Sequence, residues 1–139
     1  MIIKIFKKAI IIIKILYDNN FFYKYCNSQN DDKESKYLYK LANYVDYKFF
    51  VEIGFHNLEF NSYRLIKKNY SGLMIDGGRY LNILIMKFLI FVLRKKIKVS
   101  NIYLTKKNIS KVFKQKKIGV LSIDIDGNDY WILKEILKN

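Results

Sequence analysis

Short apolar runs recur along the chain at residues 49–54, 72–76, 99–104 and 118–125. Segments with helical spacing of apolar residues separate these runs. Because a parallel pair of strands needs a helix-length connection, the pattern predicts four strands of one parallel sheet. The predicted fold class is therefore α/β, a Rossmann-like parallel sheet with flanking helices.

The amino-terminal part has a different pattern. Residues 1–17 are mostly isoleucine, phenylalanine and leucine, and lysines interrupt them along one arc of a predicted helix. Two interpretations stay open: the helix packs on the domain, which we favour, or it lies on a membrane surface as a peripheral contact. Residues 18–30 are polar and rich in asparagine, and are typical of a linker. We therefore divide the chain into an amino-terminal helix and linker (1–30) and a Rossmann-like domain (31–139).

Two further helices bear on the surface of the domain. Asp31 or Asp32 is expected to cap a helix that runs to Val45, with Glu34 in its first turn. The segment from Tyr80 to Leu93 predicts a helix that is apolar nearly all round, too short to cross a bilayer. Its outward side should expose an apolar patch, which usually marks a contact with a partner or membrane.

Composition narrows the function classes. The chain has 139 residues, a net charge of +14, one cysteine and no proline. A single cysteine excludes an intrachain disulfide and a cysteine-built metal site. Lysine, isoleucine, asparagine, tyrosine and phenylalanine dominate, as an AT-rich genome would produce, so we expect weak attraction to polyanions but no specific nucleic-acid binding. We expect a cytoplasmic location, and the alternative is association with a membrane through residues 1–17.

The last apolar run leads into the acidic residues that are candidates for a functional site. It continues as Ser-Ile-Asp-Ile-Asp-Gly-Asn-Asp-Tyr-Trp, which places Asp124, Asp126 and Asp129 beside Gly127 at the end of a predicted strand. Open α/β sheets bind their ligands at the carboxyl ends of the strands. Three acids so close together are costly unless they have partners, so this end of the strand is a candidate site.

This motif resembles the FkbM-like S-adenosylmethionine-dependent methyltransferases. The upstream segments VEIGFHNLEFNSYRLI, SGLMIDGG and YLTKKNISKVF are similar to the same family in the same order, so the resemblance covers roughly Phe49 to Leu137. It implies transfer of a methyl group to a hydroxyl of a small-molecule or glycan acceptor, of the sugar or polysaccharide type.

The resemblance also implies roles for particular residues. Glu52 and Gly54 match the first cofactor motif, and Asp76 matches the acid that binds the ribose of S-adenosylmethionine. An acid about 20 residues beyond a loop glycine has the same role in dinucleotide folds. The residues implied beside the adenine are Thr105, Asn108 and Ile109. The implied acceptor-facing acids are Asp124 and Asp126, either of which could serve as a general base or bind Mg²⁺.

The chain departs from the family pattern in two ways. Phe55 and His56 follow Gly54 where further glycines are usual, so we expect weak or undetectable binding of the cofactor. His56 could be a general base by residue type, but an incidental substitution is the favoured interpretation. Only four strands are readable where the family has about seven, so we expect a truncated, amino-terminal portion, which leaves both an active and an inactive chain open. The alternative is a non-catalytic basic protein that associates with a membrane surface or a protein partner.

Overall fold

The computed structural model describes residues 2–29, 33–56, 59–113 and 117–138. Seven helices and four strands are defined within these ranges. The helices are α1 (Ile2–Tyr17), α2 (Asn19–Gln29), α3 (Lys33–Ala42), α4 (Tyr63–Lys67), α5 (Tyr80–Val92), α6 (Ile109–Phe113) and α7 (Asp129–Ile136). The strands are β1 (Phe49–Ile53), β2 (Ser71–Asp76), β3 (Ile97–Asn101) and β4 (Val120–Ile123).

All four strands form one parallel sheet in the order β3-β2-β1-β4. In the centre, Val51 of β1 lies between Leu73 of β2 and Leu121 of β4. The predicted parallel sheet is confirmed, and the fourth strand lies beside the first. The chain adds β2 and β3 on one side of β1 and then crosses to place β4 on the other side. The carboxyl ends of β1, β2 and β4 therefore meet at this topological switch point, as in Rossmann-like folds.

Strand alternation divides the core into two layers. Phe50 and Met74 point to one side of the sheet, where buried residues of α1, α2, α3, α4 and α5 cover them. We call this side the five-helix face. Val51 and Ile75 point to the other side, where α6 and α7 cover them. We call it the two-helix face.

The amino-terminal segment agrees with the prediction in helix α1 and differs from it in the expected linker. Residues 19–29 form helix α2 where a linker is expected, and Phe22 and Cys26 of α2 are fully buried in the five-helix face. These two residues are four apart and share one side of the helix, so burial overrides the low helix propensity of the asparagines around them. Ile15 of α1 is buried in the same cluster, which agrees with the packing interpretation of that helix.

Other boundaries shift by a few residues. The third strand is Ile97–Asn101 rather than 99–104, and the fourth is Val120–Ile123 rather than 118–125. The chain after Thr105 forms a turn before α6, because the Asn108 side chain accepts a hydrogen bond from the Thr105 amide. The expected caps at residues 31 and 32 lie outside the described residues. Within the part of the chain that the structure describes, no helix has the length and apolar character that a membrane span requires.

Candidate functional site

A cleft of about 650 Å³ opens at the carboxyl ends of β1, β2 and β4. Its volume lies within the range typical of sites for small molecules and cofactors. Residues from five segments line it: Ile53, Gly54, Ile75, Asp76, Gly77, Gly78, Ile102, Tyr103, Leu104, Thr105, Lys106, Asp124, Ile125, Asp126, Asn128, Trp131 and Ile132. The cleft is therefore apolar at its base and carries carboxylates from two different strand ends.

Gly54 forms the floor, where β1 passes closest to β4. Its φ is +80°, and a Cβ atom at this position would lie 1.8 Å from the Asp124 carbonyl oxygen. The Gly54 amide donates to the Ile75 carbonyl at 2.9 Å, and the Asp124 amide donates to the Ile53 carbonyl at 2.8 Å. Only glycine satisfies both the positive φ and this close approach, so Gly54 fixes how the three strand ends meet.

Asp76 lies at the end of β2 and connects two loops. Its Oδ1 atom accepts a hydrogen bond from the Gly78 amide at 2.5 Å, and Oδ2 accepts one from the Phe55 amide at 3.3 Å. A carboxylate has about four acceptor positions, so two protein donors leave capacity for a ligand. The side chain is partly exposed and lines the cleft, where the predicted role in binding ribose requires it.

Asp124 and Asp126 lie across the cleft from Asp76's strand, in the turn after β4. Both are exposed and both line the cleft. Asp126 has a φ of +45° and Gly127 a φ of +90°, which reverses the chain. Asp129 stabilises this turn, since its Oδ1 atom accepts a hydrogen bond from the Ile125 amide at 2.9 Å. Of the three acids, Asp129 therefore holds the turn, while Asp124 and Asp126 face solvent.

Glu52 does not line the cleft. Strand alternation turns it toward the five-helix face, where it is fully buried. Its carboxylate accepts hydrogen bonds from the Asn61 amide at 2.7 Å, from the Ser62 amide at 3.0 Å and from the Ser62 hydroxyl. Burial raises the pKa of Glu52 to about 7, against the lowering effect of the hydrogen bonds from Ser62 and Asn61. Glu52 thus anchors the chain before α4, a positioning role rather than the predicted contact with a cofactor.

Asn108 also supports the cleft rather than lining it. Its Oδ1 atom accepts from the Thr105 amide at 2.8 Å, and its Nδ2 donates to the Tyr103 carbonyl at 2.9 Å. These bonds fold the loop whose residues Tyr103, Thr105 and Lys106 line the cleft. Ile109 is buried in the core of the two-helix face. Of the three residues implied beside the adenine, only Thr105 lines the cleft.

The wall formed by Trp131, Tyr103 and Lys106 was not predicted. Trp131 is 51 % exposed, and the Lys106 ammonium lies 5.4 Å from the centre of its ring. The cation and the ring attract each other, so they hold one rim of the cleft together. An aromatic residue at the start of a helix that follows an acidic turn, as Trp131 does, is the sequence signal that could have indicated this wall.

His56 contributes to a loop beside the site. It is exposed, lies 3.8 Å from the Glu59 carboxylate and is not among the lining residues of the cleft. Among the described residues, no three histidine, cysteine, aspartate or glutamate side chains are grouped as metal ligands. The incidental role favoured for His56 stays a prediction, and the choice between a general base and Mg²⁺ binding at Asp124 and Asp126 stays open.

Comparisons with models of protein families, with curated proteins and with solved structures give no match to this chain.

Proposed function

We propose that the cleft binds the nucleoside part of S-adenosylmethionine and serves methyl transfer to a hydroxyl of a sugar-type acceptor. The observation that carries the proposal is Asp76, which ends β2 inside a cleft of about 650 Å³ with Asp124 and Asp126 in the opposite wall. Three carboxylates from two strand ends border one space, which supports a ribose contact at Asp76 and an acceptor contact at Asp124 and Asp126.

The lining residues fit a nucleoside. Ile75, Ile102 and Leu104 give apolar surface to a base, and Asp76 keeps acceptor capacity for the ribose hydroxyl groups. A largely apolar wall with a few placed polar groups is typical of cofactor sites. The neighbouring turn at Gly77 and Gly78 presents backbone instead of bulky side chains to the same space.

The amino-acid part of the cofactor has fewer partners. Within the described residues, Gly54 is the sole member of the β1–α4 loop that lines the cleft. Phe55 packs toward the five-helix core, and its amide is already bonded to Asp76. We therefore expect affinity to come mainly from the nucleoside, and to be weak.

The residues of the chain would position an acceptor and take its proton. S-adenosylmethionine supplies an electrophilic methyl group when it is bound. Asp124 and Asp126 lie in the cleft wall, where a carboxylate can accept the hydrogen bond of an acceptor hydroxyl and act as general base. A divalent cation held by the same acids is the alternative use of this pair.

Tryptophan fluorescence tests the proposal directly. Trp131 is the only tryptophan in the chain and lines the cleft, so a ligand bound there should change its emission. We expect weak but saturable quenching by S-adenosylhomocysteine, the product form of the cofactor. Asp76→Asn should weaken the binding by about tenfold, because a charged hydrogen bond to the ribose is lost.

Asp46→Asn is the matched control, since Asp46 is exposed and outside the cleft and the variant removes the same charge. Its titration should match that of the wild type. Absence of saturable quenching in the wild type, or equal affinity in Asp76→Asn, would contradict the proposed site.

A further inference from the structure

Helix α5 has two apolar sides. Its inner side is buried in the five-helix face by Ile83, Met86, Leu89 and Ile90. Its outer side has a second apolar stripe, whose members recur at intervals of three and four residues along the helix. They are Leu81 (64 % exposed), Leu84 (42 %), Phe88 (44 %) and Phe91 (80 %). We call these four residues the α5 stripe. Such contiguous exposure of large apolar side chains usually marks a contact surface.

Helix α1 repeats this arrangement. Ile15 is fully buried, whereas Ile10, Ile13 and Leu16 are each about half exposed, at 50 %, 51 % and 48 %. Their spacing of three residues places them along one side of the helix. We call these three residues the α1 stripe. Both helices bury their inner residues in the same hydrophobic cluster, so both stripes belong to the five-helix side of the molecule.

The charges near both stripes are mainly positive, and Asp18, exposed just after α1, is an acidic neighbour. Neither α1 nor α5 contains an acidic residue. Lys7 and Lys14 are exposed on α1, Lys87 is exposed on α5, and Arg94 and Lys96 are exposed just after it. The whole chain has a net charge of +14. The surface that would cover the stripes must therefore accept apolar side chains and offer negative charge beside them.

We propose that the α5 and α1 stripes dock the five-helix side onto the surface of an anionic lipid bilayer. An interfacial helix places its apolar side at the acyl boundary and its lysines at the lipid phosphates. This needs no membrane span, which agrees with the lengths of the helices described. A second copy of the chain fits less well, because it would bring like charges together in a protein of net charge +14.

Co-sedimentation of the full chain with vesicles tests the proposal. We expect binding to phosphatidylcholine vesicles that contain phosphatidylserine and much weaker binding to phosphatidylcholine alone. Binding should weaken steeply as salt rises, since exposed charges are screened. Lys87→Gln should weaken binding to the anionic vesicles by about fivefold, the effect of one basic residue near a charged surface.

A pair of double variants isolates the apolar contribution. Leu81→Ser with Phe91→Ser removes the most exposed residues of the α5 stripe and should reduce vesicle binding by on the order of tenfold or more. Leu133→Ser with Leu137→Ser is the matched control, because these residues are exposed on the two-helix side, at 39 % and 76 %. Circular dichroism confirms that each variant stays folded. Ile10→Ser with Ile13→Ser tests the α1 stripe in the same way.

Four outcomes would overturn the proposal. The wild type could fail to bind anionic vesicles, or bind neutral vesicles equally well. The control pair could lose as much binding as the α5 pair, which would mean that the stripe has no special role. Sedimentation velocity could show a dimer that the α5 pair dissociates, in which case a second copy covers the stripe.

Discussion

The carboxylates in the core of the five-helix face and in the cleft have opposite environments. On the five-helix side, Glu52 is fully buried, and three donors from Asn61 and Ser62 surround it. At the cleft, by the carboxyl ends of the strands, Asp124 and Asp126 are exposed. Strand β1 thus contains an acid that is buried in the folded core, and the turn after β4 contains two acids that are exposed to solvent.

This contrast separates residues that build the site from residues available to act in it. A buried carboxylate is tolerated only when hydrogen bonds compensate its desolvation, so Glu52 is tied to the folded state. Exposed acids cost little to retain and little to remove. Stability measurements should therefore distinguish the two groups without any knowledge of the ligand.

The largest effect is expected at Gly54, where the chain after β1 approaches the chain after β4. Gly54→Ala would place a Cβ atom 1.8 Å from the Asp124 carbonyl oxygen at a φ of +80°. The strand ends must separate, and we expect a loss of about 3–5 kcal/mol in the free energy of unfolding. Urea unfolding followed by circular dichroism measures it.

Gly127→Ala is the matched control for this prediction. Gly127 has a φ of +90°, but a Cβ atom there would have no neighbour within 4 Å. Only the conformational penalty applies, about 1 kcal/mol. Equal losses in the two variants would mean that β1 and β4 do not approach as closely as described.

The second effect concerns Glu52 and pH. Its pKa is raised from 4.5 to about 7 in the folded chain, chiefly by burial. Between these values Glu52 retains a proton in the folded chain that it releases in the unfolded chain. Its contribution to stability is therefore complete below about pH 5 and is lost as pH rises to about 7. The expected fall is on the order of 3 kcal/mol.

Glu52→Gln should remove most of that slope, whereas Asp76→Asn should keep it. Urea unfolding at a series of pH values provides the test. A slope that persists unchanged in Glu52→Gln would assign the titration to another group, and Glu52 would then be ionised in its buried position.

The fold was predictable to a large extent because its signals are local. The four apolar runs indicated the strands, and the helical segments between them required parallel pairing. Helix α2 was missed because its asparagines suggest a linker, whereas the tertiary burial of Phe22 and Cys26 stabilises it. Such burial depends on residues distant in sequence and cannot be inferred from the segment itself.

The candidate site was predictable only in part. The positions of Gly54, Asp76, Asp124 and Asp126 at strand ends were sufficient to place them together. Glu52 does not line the cleft because of strand alternation. It lies two residues after Phe50, so both side chains point to the five-helix face, where Phe50 is buried. The wall at Trp131 and Lys106 depends on how the loop after β3 meets α7, a long-range contact without a local pattern.

A smaller effect is expected at Asn108, which supports the cleft from behind. Asn108→Ala removes both the acceptor for the Thr105 amide and the donor to the Tyr103 carbonyl. These groups are near solvent, so the expected loss is about 1–2 kcal/mol. Asn108→Asp keeps the acceptor alone and should lose about half as much. If Asn108→Ala unfolds at the same urea concentration as the wild type, the loop is held by other contacts.

The smallest effect is expected at Asp126. It is the sharpest test of the contrast between the buried acid and the exposed acids of the cleft. Asp126 has a φ of +45°, a conformation that costs an aspartate about 1 kcal/mol and a glycine nothing. Asp126→Gly relieves this cost but increases the entropy of the unfolded chain by a similar amount. We expect the free energy of unfolding to change by less than about 0.5 kcal/mol. A loss well above 1 kcal/mol would show that the acid holds the turn, as Asp129 does. A result near zero would mean that folding does not require this carboxylate, which leaves its charge free to serve a ligand in the cleft.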